Sequence, residues 1–111
     1  MAINVTVLDT HVVFAPQGRI DSNNAAEAES TIIGNIDGGA ERVVFDFGQL
    51  DYISSAGLRV ILVAAKKIKA KRGKLAICSM KASIREVFEM SGFLSILTVC
   101  DTPEAAQAAV V

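Results

Sequence analysis

Near its start the chain alternates. Ile3, Val5 and Val7 occupy every second position between polar or small residues, the period of a half-buried strand. Asp9-Thr10 supplies turn chemistry, and Val12-Val13-Phe14 predicts a second strand returning from it. Pro16 has no N–H for a ladder, so this strand is expected to run at an edge or to bend there, with Gly18 releasing the chain from the sheet. The period then changes. Ala25, Ala28, Ile32 and Ile36 recur at three- and four-residue spacing while Glu27 and Glu29 face away, which predicts an amphipathic helix. Asp21 and Ser22 both suit its N-cap, and Gly38-Gly39 its stop.

Arg42 to Phe47 is short, apolar and β-branched, a strand covered on at least one face. A loop from Gly48 to Ile53 follows. Leu58, Ile61, Leu62, Ala65 and Ile68 then mark one face of a helix whose cations Lys66, Lys67, Lys69, Lys71 and Arg72 gather at its end, where they complement the helix dipole. Gly73 suits the left-handed residue that closes it. Leu75-Ala76-Ile77-Cys78 reads as a strand. Ser79 is a cap for a helix bearing Ile84, Val87 and Phe88 and ending at Ser91-Gly92, and Ile96 to Val99 is a last strand. Thr102, Pro103 and Glu104 open an Ala-rich final helix, with threonine as N-cap and proline at the first helical position. The order β-β-α-β-α-β-α-β-α predicts one α/β domain over residues 1–111, a mixed, mostly parallel sheet covered by helices.

Composition sharpens this. Of 111 residues 51% are apolar but only 5% aromatic, with no Trp, so Val, Ile, Leu and Ala must build the core. Eleven basic and twelve acidic residues leave a formal charge of -1, which gives no global field for nucleic acid or an anionic membrane. Binding must then depend on a local site. Met1-Ala2-Ile3-Asn4-Val5 lacks the basic and apolar regions of a signal peptide, and no apolar run approaches the roughly 18 residues of a bilayer span. The expectation is a cytoplasmic protein. Cys78 and Cys100 form no CxxC pair and are expected to act as small buried hydrophobes.

The parts of an enzyme are missing. His11, the only histidine, is expected at a solvated hairpin tip, away from any serine nucleophile. One His, two separated Cys and scattered carboxylates make no metal set, no Gly-rich loop with a following Lys cradles a phosphate, and no cofactor is implied. The cations from Lys66 to Lys74 lack interleaved aromatics and are expected to be a solvated helix end. What remains is Tyr52-Ile53-Ser54-Ser55-Ala56-Gly57-Leu58-Arg59, between a strand and the best-defined helix. A cap needs one serine; here there are two. Gly57 stands in the first turn, where Ala is favoured by about 1 kcal/mol, and is expected to leave the helix mouth open to another surface. Backbone N–H groups and a hydroxyl at such a mouth suit a phosphate.

This segment, continued through Val60-Ile61-Leu62, resembles the signature of STAS domains, specifically of anti-sigma factor antagonists. Gly18-Arg19-Ile20-Asp21, Val87 to Phe93 and the final helix from Thr102 to Val111 are similar to further landmarks of that family in the same order. The family motif reads Asp-Ser-Ser/Thr-Gly-Leu; here Ser54 stands in place of Asp and Ala56 in place of Ser or Thr. Aligning Gly57-Leu58 implies Ser55 as phosphate acceptor, with Ser54 as the alternative. It implies a partner-binding surface of Asp21, Ser22, Asn23, Ser54, Ala56, Gly57 and Arg59. The implied function is to bind an anti-sigma factor serine kinase while unphosphorylated, freeing the sigma factor, and to be released by phosphorylation at Ser55 and reset by a serine phosphatase. A STAS scaffold subunit of a larger signalling or transport complex, never phosphorylated, is the alternative.

Overall fold

In the computed structural model residues 2–111 are described; Met1, which opens the segment read for a leader, lies outside them. The chain runs β1 (Ala2–Val7), β2 (Val12–Ile20), α1 (Ala25–Asp37), β3 (Arg42–Asp46), β4 (Leu50–Ile53), α2 (Ser55–Ala70), β5 (Lys74–Cys78), α3 (Ala82–Met90), a 3-10 turn (Leu94–Ile96), β6 (Thr98–Cys100) and α4 (Pro103–Val110). To the order expected from sequence the structure adds β4, and it places the last strand two residues later, after the 3-10 turn. The sheet order is β1-β2-β3-β5-β6, with β4 on β2. Among the described residues only β1 and β2 pair antiparallel; every other pairing is parallel, the mixed, mostly parallel α/β sheet the alternation implied.

Pro16 is the hinge of this arrangement. β2 is a central strand, not an edge: it pairs with β1 from Val12 to Gln17, with β3 at Val12 to Phe14, and with β4 at Gly18 to Ile20. The Gly18 N–H donates to the Gln49 carbonyl at 2.9 Å, so the Pro16 nitrogen, two residues earlier, faces the same flank, where β2 changes partner. The missing donor falls where no ladder bond is needed.

Period-two alternation sorts the strands between two cores. Phe14, Val43, Phe45 and Ile77 join α1, α2 and α3 on one face, burying Ala28, Ile32 and Ile36, Leu58, Ile61 and Ala64, and Ile84 and Phe88. Val44, Ala76 and Cys78 face the other way, onto Ala106 and Val110 of α4. A ladder of rings, Phe14–Phe45–Phe47–Phe88, with centroids 5.5, 5.9 and 6.1 Å apart, ties α3 to the sheet. Such contacts add about 0.5–1.5 kcal/mol each beyond area burial.

Local expectations fare unevenly. Thr102 caps α4 as expected, its Oγ1 accepting from the Ala105 N–H at 3.1 Å. Neither Asp21 nor Ser22 is the N-cap of α1: Asn24 is, and Asp21 instead braces the turn before it. Ser79 caps nothing; it sits at φ 61 and Lys81 precedes α3. At the end of α2 the left-handed residue is Arg72, φ 59, not Gly73. Gly73 is required for proximity, because a Cβ there would stand 2.0 Å from the Glu41 carbonyl oxygen. His11 is not solvated but 5% exposed, with Thr10 Oγ1 2.8 Å from its Nδ1. Two of the basic residues are structural: Lys67 pairs with Asp37 at 3.1 Å, and Lys71 donates to the Ile36 carbonyl near the end of α1.

Candidate functional site

Two parallel strands finish side by side, with Ile20 of β2 opposite Ile53 of β4. The Ser54 N–H donates to the Ile20 carbonyl at 2.9 Å, so the start of α2 and the turn after β2 form one rim at the carboxyl end of the strands. Open α/β sheets place ligand and partner sites at such ends.

The two serines occupy different states on this rim. Ser54 is extended, φ -87 and ψ 175, and its Oγ accepts from the Gly57 N–H at 3.2 Å while its carbonyl accepts from Leu58 at 2.9 Å. It is an N-cap with its hydroxyl in use. Ser55 is the first helical residue, exposed, and among the described residues its hydroxyl has no hydrogen-bond partner. No acidic side chain lies in the first turn of α2, so the positive end of the helix dipole is left open to an anion.

Gly57 does not open the helix mouth. It is buried, and a Cβ on it would stand 2.7 Å from Ile53 Cγ1, 2.9 Å from Ile20 Cγ2 and 3.0 Å from the Ile20 carbonyl oxygen. The glycine lets α2 lie directly on the ends of β2 and β4. Ala56 beside it is half-buried, and Arg59, one turn beyond Ser55, is exposed and makes no ion pair among the described residues.

The opposing turn is pinned from several sides. Asp21 Oδ1 accepts from the Asn23 N–H at 3.0 Å and Oδ2 from Arg19 Nε at 3.5 Å. The Asp21 N–H donates to Asn24 Oδ1 and Asn24 Nδ2 to the Arg19 carbonyl, both at 2.9 Å, leaving Ser22 and Asn23 exposed at the tip. Asp21, Ser22, Asn23, Ser54, Ala56 and Gly57 thus belong to one region, and Arg59 extends it along α2. The structure adds a neighbour that sequence reasoning left out. Arg19 lies over the Tyr52 ring, 4.3 Å from its centroid, and reaches Asp21 from there. The signal was present, since positions 19 and 52 are register partners, but only once β4 is known to exist.

Burial pushes the Cys78 thiol up to about 11, only partly offset by a hydrogen bond from Ser79, so it is no nucleophile. Cys78 and Cys100 are free thiols, and the first is fully buried, as a small hydrophobe should be. Among the described residues no group of His, Cys, Asp or Glu is arranged to hold a metal ion, and no helix is long and apolar enough to cross a membrane.

Residues 2–106 match the STAS domain family. BtrV of Bordetella bronchiseptica, which bears the name of an anti-sigma factor antagonist, is 46% identical over 109 residues, covering 98% of this chain and 94% of BtrV. The fold superposes on the crystal structure of a Thermotoga maritima protein assigned to the anti-sigma factor antagonists with a TM-score of 0.92, at 20% identity over 97% of this chain and 93% of that one. The phosphorylated form of SpoIIAA, a Bacillus cell fate determinant, has a TM-score of 0.75 at 21% identity, over 96% of this chain and 98% of its own.

Proposed function

The chain belongs to the STAS-domain anti-sigma factor antagonists, a family of non-enzymatic, partner-switching regulators, and from that premise we propose that its switch is phosphorylation of Ser55. Unphosphorylated, the rim of Asp21, Ser22, Asn23, Ser54, Ala56 and Arg59, with the buried Gly57 seating the helix beneath it, binds an anti-sigma factor that is itself a serine kinase, and the sigma factor goes free. The kinase then transfers the γ-phosphoryl group of ATP to Ser55 Oγ. The new O–P bond replaces the bond to ADP, and the hydroxyl proton passes to a base of the kinase. A serine phosphatase hydrolyses the ester and resets the cycle. Dependence on ATP puts the encounter in the cytoplasm.

One observation carries the choice of residue: of two adjacent hydroxyls, that of Ser54 is engaged as a cap and that of Ser55 is not. Phosphorylating Ser54 would load bulk and charge onto an oxygen already held by the Gly57 N–H; phosphorylating Ser55 disturbs no bond within the fold. The phosphate adds about -1.5 to -2 charge at pH 7, and the helix N-terminus favours it by about 0.3–1 kcal/mol at an exposed position. The domain therefore keeps its fold and the effect falls on the interface. The phosphate meets the partner by bulk, by desolvation and by repulsion shared with Asp21, whose carboxylate is held on the same rim. Arg59, four residues on and on the same helical face, is a counter-charge for it.

The test is co-purification of tagged wild type and Ser55→Asp from native cells. Wild type is expected to retain a serine-kinase partner and Ser55→Asp to retain at least tenfold less, a difference of about 1.4 kcal/mol. Equal retention of the same partner by both, and by Ser55→Ala in the presence of ATP, would favour the unphosphorylated scaffold instead.

A further inference from the structure

At the far end of α2 from Ser55 the surface opens into a groove of about 460 Å³ between α2, β5 and the segment leading into β6. Its floor is aliphatic: Leu62, Ala65 and Ile68 from the helix, Leu75 from β5 and Leu97 before β6. Ile96, at its open side, is 68% exposed. The charges along its wall are all of one sign, Lys66, Lys69 and Arg72, and no carboxylate lines it.

These three cations differ from Lys67 and Lys71, which are tied to α1. Lys66, Lys69 and Arg72 are exposed, and none makes an ion pair among the described residues. Spaced three residues apart, they repel one another along the helix end. Arg72 is moreover held at φ 59, a backbone conformation that favours glycine, so its side chain is kept at a position where its backbone is strained. Three unneutralised cations over an aliphatic floor are the complement of a molecule with an acidic head and an apolar tail.

Size selects the kind of molecule. At about 460 Å³ the groove falls within the range of small-ligand sites, clefts of about 300–1,000 Å³ that are mostly apolar with a few placed polar groups. We propose that the groove is a binding site for a single-chain anionic amphiphile, a medium- or long-chain carboxylate taken from solution, with its tail along Leu62, Ala65, Leu75 and Leu97 and its head on Lys66, Lys69 and Arg72. The site is separate from the phosphorylation rim. Leu62 is seven residues beyond Ser55, about 10 Å along the helix axis, and Lys69 about 21 Å.

The test is an NMR titration of the full chain with decanoate, kept below its micellar concentration, alongside octanoate and the neutral decanol. Decanoate is expected to saturate and to shift the amides of Leu62, Ala65, Leu75 and Leu97. Octanoate binds at least fourfold more weakly, since one fully buried methylene is worth about fourfold. The triple variant Lys66→Gln, Lys69→Gln, Arg72→Gln, all at exposed positions, weakens decanoate at least tenfold and leaves decanol unchanged. Three results would overturn the proposal: decanoate shifts that never saturate or map elsewhere, equal decanoate binding by the triple variant, or binding to anionic phosphatidylglycerol vesicles with none to free decanoate. The last would make this face a membrane contact.

Discussion

Replacing Gly57 by alanine separates two opposed effects. In an open helical position the change stabilises by about 1 kcal/mol, because alanine is the better helix former. Gly34 of α1 is such a position, with nothing within 4 Å of an added Cβ. At Gly57 the same methyl would lie 2.7 Å from Ile53 Cγ1, 2.9 Å from Ile20 Cγ2 and 3.0 Å from the Ile20 carbonyl oxygen. The two isoleucine side chains are themselves buried, 2% and 0% exposed, so neither can swing into solvent. Forcing a methyl into such a contact costs about 1–3 kcal/mol. Subtracting the propensity gain leaves a net loss of about 0–2 kcal/mol, where Gly34→Ala gains about 0.5–1 kcal/mol. For a domain of 111 residues, with a shift of about 4 °C per kcal/mol, Tm falls by about 0–8 °C in one variant and rises by about 2–4 °C in the other. Urea and thermal unfolding of both variants measure the pair. Because the helix must move off the ends of β2 and β4, Gly57→Ala also loosens the bond from the Ser54 N–H to the Ile20 carbonyl, and its amide exchanges faster. A rise in stability for Gly57→Ala equal to that for Gly34→Ala would refute the close-approach account.

Other substitutions probe the same physical reading. Ser54→Ala removes the cap and lowers unfolding stability by about 1 kcal/mol, while Ser55→Ala, which breaks no bond, stays within about 0.5 kcal/mol of wild type; denaturant midpoints decide. Arg72→Gly relieves the left-handed strain and, after the extra chain entropy of glycine, raises stability by about 0.5–1 kcal/mol, read as a higher Tm. The buried Cys78 thiol ionises at a higher pH folded than unfolded, so its stabilising contribution is complete below about pH 9 and is lost as pH climbs towards 11; Cys78→Ala flattens that part of a stability–pH profile.

Where sequence and structure agree, the cause is local. Thr102-Pro103-Glu104 carries its own helix start, and the spacing from Leu58 to Ile68 defines α2 without help from the rest of the fold. The α/β class followed because each predicted helix but the last separated two predicted strands, and a run such as Val43-Val44-Phe45 fits a strand buried on both faces. What escaped depends on distant partners. β4 is four residues long with Asp51 and Tyr52 both exposed, so nothing in its pattern resembles a buried strand; it exists because β2 is free to accept it beyond Pro16. Gly73 and Arg72 exchanged roles because Glu41, more than thirty residues away, leaves no room for a side chain at 73. The burial of His11, and the Arg19–Tyr52 contact beside Asp21, likewise required the sheet.

The candidate rim at the start of α2 was legible as a segment, since two serines before a helix and a glycine in its first turn exceed what a cap requires. Its division of labour was not. Both hydroxyls suit the N-terminus of a helix, and the choice rests on backbone geometry: Ser54 is extended and turned back onto Gly57, while Ser55 has entered the helix with its hydroxyl outward. The reason for Gly57 was misread for the same cause, because Ile20 lies 37 positions away in sequence and only the completed sheet brings it to the helix.

The most direct test of the switch is phosphosite mapping by mass spectrometry on this chain isolated from its native cells across several growth conditions. Phosphate on Ser55, with Ser54 unmodified, is the predicted result. Phosphate on Ser54 alone would contradict the assignment of the two hydroxyls, and the absence of phosphate from both under every condition would contradict the switch itself.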